Sequence, residues 1–136
     1  MEISLALTEN FMPYHVTRTD FDSLAEKAIE GLPEEFKQYF TNITIMVEDY
    51  PSKEDKKLAG SKGLLLGLFK GVPYTRKGGF FNIPYPLPDK IILFQKNIET
   101  LCSSEKELIE QIAKTLIHEV GHYFGFSEKD LKKHGF

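Results

Sequence analysis

Cysteine is nearly absent from this chain: Cys102 stands alone among 136 residues. A single thiol closes no internal disulfide, and nothing near it suggests a cysteine-type zinc site, so a reducing compartment, the cytoplasm, is expected. A basic excess is also missing. Lys and Arg number 17 against 20 Asp and Glu, a formal net charge of −3. Nucleic-acid binders show a positive balance or patch, and the lysine-rich stretches 53–57 and 129–133 carry acids among their lysines, as solvated faces do. Long apolar runs are lacking too. The longest, residues 64–69, falls far short of the roughly 20 residues of a membrane span. The opening MEISLALTENF has an acid at position 2 and only a short apolar run, unlike a secretory signal. These absences argue against nucleic-acid and membrane partners. At 41% hydrophobic and 27% charged residues, the chain suits one ordinary globular domain with its own core.

Hydrophobic periodicity places the elements. Residues 1–17 read as an extension or leader in which ISLAL is either a strand or a loose segment, and 18–136 as the domain. A helix starts near Thr19, capped by Thr19 or Asp20, with Phe21, Leu24, Ala25, Ala28 and Ile29 on one stripe and Gly31 and Pro33 as its stop. Ile43, Ile45 and Val47 alternate with Thr44, Met46 and Glu48, the period of a half-buried strand. Residues 51–62 form a turn or short helix. LLLGLFKG is a second strand, weakened by Gly67, and KIILFQ at 90–95 a third of buried type. Between them the Gly- and Pro-rich stretch 71–88 reads as a long loop, and loops of that length tend to be functional or mobile.

The strongest signal lies near the end. Ser104 and Glu107 form a capping box. Leu108, Ile109, Ile112, Ala113, Leu116, Ile117, Val120 and Phe124 then recur at helical spacing, so a helix is expected from about Glu105 to Tyr123, ending at Gly125. Ser127 caps a last short helix, with Asp130 at its third position.

Within the long helix sits HEVGHYFG. His118 and His122 are four apart and share one face, in line with Gln111 and Thr115 and opposite the apolar stripe, outside the core. Shuffling this composition yields an H-E-x-x-H string in roughly 1% of chains, and here it also falls on a periodic helix, the context its chemistry needs. Two imidazoles one turn apart can supply two of the three protein ligands of a catalytic zinc, at about 2.0–2.1 Å. Glu119 beside the first can act as general base toward a water that the metal acidifies. An aspartate there would be one methylene too short.

A third ligand must come from nearby. Gly125 allows a left-handed turn that sends the chain back toward the histidines. Glu128 follows three residues later, completing H-E-x-x-H-x-x-G-x-x-E, with a carboxylate where the extended zincin motif has histidine. An acid in the first turn of a capped helix is also expected from the helix dipole alone. Asp130 is the next candidate; His134 reads as a tail residue and His15 as a surface one.

At this point the sequence resembles the minimal zincins, small bacterial metallopeptidase-like proteins. The resemblance is carried by HEVGHYFGFSEKDL at 118–131, LLGLFKGVPYTRKG at 65–78, LPDKIILFQKNIE at 87–99 and the helix from Phe21 to Pro33, and it spans about residues 18–134. It implies a small α+β zincin-like domain: a sheet of three to four strands, an N-terminal helix and a long HExxH-bearing C-terminal helix. It further implies that His118 and His122 ligate zinc, that Glu119 is catalytic, and that Glu128 stands where family members often carry aspartate. The methionines of larger metzincins lie beneath the zinc, downstream of the motif. Those here, Met1, Met12 and Met46, all lie upstream, so one wall of the usual cleft is missing unless loop 71–88 or a second chain, as in a dimer, supplies it.

The leading expectation is a zinc metallopeptidase acting on a peptide or protein substrate. In it the strand Ile91 to Phe94 lies beside the cleft as an edge for extended peptide, and Tyr74, Arg76 or Tyr123 stabilises the oxyanion. The first alternative is a zinc-binding protein with little or no turnover, because an open site excludes water poorly. The second is a zinc-dependent ribonuclease, disfavoured by the acidic balance.

Overall fold

In the computed structural model, residues 1–3, 12–61, 63–71 and 89–136 are described. The first helix, α1, runs Arg18–Glu30. Its cap is Thr17, not Thr19 or Asp20: Thr17 Oγ1 accepts from the Asp20 amide at 3.1 Å. The approach to the cap is held extended from outside. Tyr14 N donates to Cys102 O at 2.8 Å and Val16 N to the buried Glu99 carboxylate at 2.7 Å. The chain can therefore enter the helix only at Thr17. Phe21, Leu24, Ala25 and Ala28 form its buried stripe.

After a short helix α2 (Glu34–Lys37) and one 3-10 turn (Gln38–Phe40) comes strand β2 (Ile43–Glu48), numbered after a two-residue strand β1 (Glu2–Ile3) at the N-terminus. The alternation expected in β2 is present: Ile43, Ile45 and Val47 are half-buried, Thr44 and Met46 exposed. Helix α3 (Lys53–Ala59) carries a capping box between Ser52 and Asp55 and ends on Gly60 at φ 62°. The expected second strand is interrupted at Leu66, giving β3 (Leu64–Leu65) and β4 (Gly67–Lys70). Strand β5 is Asp89–Phe94, followed by α4 (Gln95–Glu99), the long α5 (Glu105–Tyr123) and α6 (Glu128–Lys133). The loop expected at 71–88, with Tyr74 and Arg76, lies outside the described residues beyond Gly71.

The three-stranded sheet has the order β2-β5-β4, with β2 parallel and β4 antiparallel to β5, while β1 pairs antiparallel with β3. The fold is therefore α+β, as expected, but β5 is the central strand. Its amides and carbonyls are taken on both sides, so the expected role of Ile91 to Phe94 as a peptide-binding edge is overturned. The near-continuous burial of β5 is what a strand flanked on both sides shows. Ile91, Leu93, Ile112, Leu116, Ile117 and Phe21 meet in one core between α1, α5 and the sheet. Cys102 is buried at its margin. Burial first, then Glu107, Glu99 and Glu110, push its thiol up to about 12, so it packs as a small apolar side chain.

Strand β4 lies unusually near α5. A Cβ on Gly67 would stand 2.8 Å from Thr115 Cγ2 and 3.3 Å from Ile92 O, so only glycine admits this approach. Gly67→Ala is expected to lower stability by about 1–3 kcal/mol, as overpacking does, measured by urea denaturation followed by circular dichroism.

Next to β4, Lys70 Nζ contacts the buried Asp55 carboxylate at 2.7 Å. Burial works to raise the Asp55 pKa, but the Lys70 contact and the Ser52 amide and hydroxyl outweigh it and hold the carboxyl below its usual value. A depressed folded pKa gives stability that is present above the unfolded value of about 3.9 and is lost as pH falls through the lower folded one. Asp55→Asn should therefore be less stable than the parent at pH 7, and the gap should close in acid, read from denaturation midpoints across the pH range.

Candidate metal centre

Helix α5 builds the site because its second face is polar and helically aligned. Ser104 Oγ accepts from the Glu107 amide at 3.2 Å and starts the helix in register. His118 and His122 then project from one side. That side is less open than its polarity suggests. Thr115 is fully buried and the His118 side chain is 9% exposed, whereas His122 is 59% exposed. The expectation that both histidines stand outside the core thus holds for His122 alone. The C-terminal residues fold back over His118, and Phe136 O lies 3.2 Å from its Nε2.

The turn that makes this possible is the one anticipated at Gly125, which has φ 82°. Phe126 N donates to Gly121 O at 2.7 Å and Gly125 N to His122 O at 3.3 Å, the paired bonds of a Schellman motif. Beyond it, Ser127 and Asp130 form a full capping box for α6: Ser127 Oγ accepts from Asp130 N at 3.1 Å, and Asp130 Oδ2 from Ser127 N at 3.0 Å. Leu131 is buried against Gly121, where a Cβ would meet Leu131 Cδ2 at 3.1 Å. The glycine inside HEVGH therefore lets α6 seat beside the histidines. Edge-on rings hold the same turn from outside, Phe36 against Phe126 and Phe136 at 6.1 and 5.8 Å.

Seating α6 brings Glu128 home. Its Oε1 lies 3.4 Å from His118 Nδ1 and 3.4 Å from His122 Nε2. One donor atom from each of these residues falls within 4.8 Å of the others, and they form the one such group among the described residues. A tetrahedral zinc with nitrogen and oxygen donors at about 2.0–2.2 Å separates neighbouring donors by about 3.3–3.5 Å. The two separations to Glu128 match, so the donor set fits the ion in type and, along these two edges, in spacing.

The remaining candidates are engaged elsewhere. Asp130 is committed to its cap, and the Ser127 amide holds its carboxyl below the usual range. His134 Nδ1 pairs with Glu35 at 3.0 Å, and His15 Nδ1 with Glu99 at 3.3 Å. Tyr123 stacks on Phe69 with ring centroids 4.2 Å apart.

Glu119 faces the other flank of the site, toward β4, with 12% of its side chain exposed. Phe69 N donates to its Oε2 at 3.1 Å, and the Met1 ammonium bonds its Oε1. Sequence reasoning missed both partners and the Phe136 carbonyl. Each contributes a main-chain group, which leaves no signature in residue type or spacing.

No curated protein matches the chain. Its architecture is similar to that of a conserved hypothetical protein from T. thermophilus, with a TM-score of 0.50 over 80% of this chain and 94% of that one at 24% identity, a likeness of fold. Among the described residues no helix is long and apolar enough to cross a membrane. The family model described as zincin-like metallopeptidase matches residues 40–136, a stretch holding His118, Glu119, His122 and Glu128. The chain belongs to the zincin-like metallopeptidase family.

Proposed function

We propose that this protein is a zinc peptidase in which His118, His122 and Glu128 hold the ion and Glu119 is the general base. The observation that carries this reading is the pair of 3.4 Å separations between Glu128 and the two imidazoles. When bound, zinc polarises a peptide carbonyl and acidifies a water beside it.

The chain's own groups do the rest. His118 turns Nε2 toward the Phe136 main-chain oxygen and Nδ1 toward Glu128, so a proton on Nε2 would leave Nδ1 free to hold the ion. The Phe69 amide fixes one carboxylate oxygen of Glu119, leaving Oε1 as the proton acceptor. Glu119 takes the proton of the attacking water and delivers it to the departing nitrogen as the C–N bond breaks. The products are a carboxylate and a new amine. From an α6 seated by the buried Leu131, the Glu128 arm reaches both imidazoles at 3.4 Å.

A second reading, zinc binding without turnover, draws on the exposure of His122, 59% open to solvent, because an open site excludes water poorly.

Metal content of tag-free protein, measured by inductively coupled plasma mass spectrometry, tests the site. About one zinc per chain is expected in the parent and in Glu119→Gln, with affinity at least tenfold lower in His118→Ala and Glu128→Ala. Against a peptide library, Glu119→Gln should lose about 10²–10⁴-fold in hydrolysis. Parent protein that takes up no zinc from stoichiometric metal overturns the reading, as does a fully active Glu119→Gln. Bound zinc with no cleavage by any form supports the second reading.

A further inference from the structure

The segment that follows α1 meets the chain at both ends of α6. Phe36, on α2, is 3% exposed and belongs to the central core. Its amide donates to Pro33 O at 2.9 Å, which fixes the turn that carries the ring. The ring stands edge-on to three others, with centroids 6.1 Å from Phe126, 5.1 Å from His134 and 5.8 Å from Phe136. Phe126 precedes the Ser127 cap of α6, and His134 is the cap at its far end. A six-residue helix is only about 9 Å long, so one ring reaches both of its ends. Beside Phe36, Glu35 Oε1 lies 3.0 Å from His134 Nδ1. Tyr39, in the 3-10 turn after α2, packs on Phe124 at 4.6 Å and on Phe126 at 5.9 Å, covering the approach to α6 as well.

These contacts bear on the third ligand. Helix α6 is too short to persist unaided, and Glu128 is its first residue, two beyond Phe126. The histidines ride on α5, so a loosened α6 carries the carboxylate away and leaves both imidazoles where they are. The Glu35–His134 pair is exposed on both sides and adds little by itself. Edge-to-face rings with one partner buried hold a fixed geometry more firmly.

We infer that Phe36 is a positioning residue for the metal centre: it clasps α6 at both ends, and through α6 it sets how well Glu128 completes the set with His118 and His122. The inference rests on the metal-centre reading. A ring that only filled the core would change global stability. A clasp changes the local opening of α6 and acts on the ion through Glu128 alone.

The test uses the full chain with Phe36→Leu and with Phe126→Leu. Leucine keeps an apolar side chain and removes the ring. Phe126→Leu takes the same contact away from the α6 side, so it answers alone where Phe36→Leu does not fold. Without metal, hydrogen exchange is followed by NMR at the Leu131 and His134 amides, which donate to Ser127 O and Leu131 O at 3.1 Å each. Both amides are expected to approach open-chain rates as the docked fraction of α6 falls to about a third or less. Parent-like protection at both amides in the variants overturns the inference, whatever the change in melting temperature.

Zinc affinity is then measured by competition with a chromophoric chelator. It is expected to fall at least about threefold in each variant, following the docked fraction. In a Glu128→Ala background the same substitutions should cost nothing further, because the two sites act through one contact. An equal loss in both backgrounds overturns the inference. Rapid α6 exchange with undiminished zinc affinity also overturns it and leaves the metal centre standing. No zinc uptake by the parent overturns the metal centre, and with it the positioning role, while the exchange rates still report whether α2 clasps α6.

Discussion

The site depends on how closely strand β4 approaches helix α5. With no side chain at Gly67, the strand settles against Thr115, and that contact sets the register of every group on this flank. It puts the Phe69 amide on Glu119 and stacks the Phe69 ring on Tyr123. A strand one methyl group further away would keep the sheet intact and leave the carboxylate without its amide donor. The sheet is small, so this placement comes from direct contact rather than from a deep scaffold.

Helix α5 serves two environments at once. One stripe is the centre of the hydrophobic core, with Leu108, Ile112 and Leu116 fully buried. The opposite stripe is polar yet largely covered, by Met1 at one end and by the chain around Phe136 at the other. A buried polar face needs partners for its donors and acceptors. Thr115 bonds back to Gln111 O at 2.8 Å, and the His118 ring meets the Phe136 carbonyl at 3.2 Å. The histidine pair is asymmetric as a result: one ring is pre-oriented by protein, the other open to solvent.

Much of this was legible in the residues. The helical period of 105–123, the stop at Gly125 and the Ser127 cap all came from local rules, because helix stripes and caps are short-range matters. Glu128 was reachable by the same route, since a single turn separates it from His122. Sheet order was not. The run KIILFQ looks alike at a centre or an edge, and only the third dimension shows that β5 has neighbours on both sides. Thr17 was missed as a cap because the segment before it is straightened by Cys102 and Glu99, which lie far along the chain. The covering of His118 follows the same logic: polarity of a helix face predicts the need for partners and is silent on whether water or protein provides them.

The last helix carries a further consequence. Six residues do not hold a helix in isolation; α6 exists because Leu131 is packed against Gly121 and Ser127 closes its start. Glu128 would thus stand beside the histidines only while α6 is docked, and any affinity of the three for an ion would be scaled by that fraction. Substitutions at Leu131 or Gly121, which touch no donor atom, would then act as a rheostat on ion affinity. Ion binding in turn would report on the docking equilibrium of a single helical turn and a half.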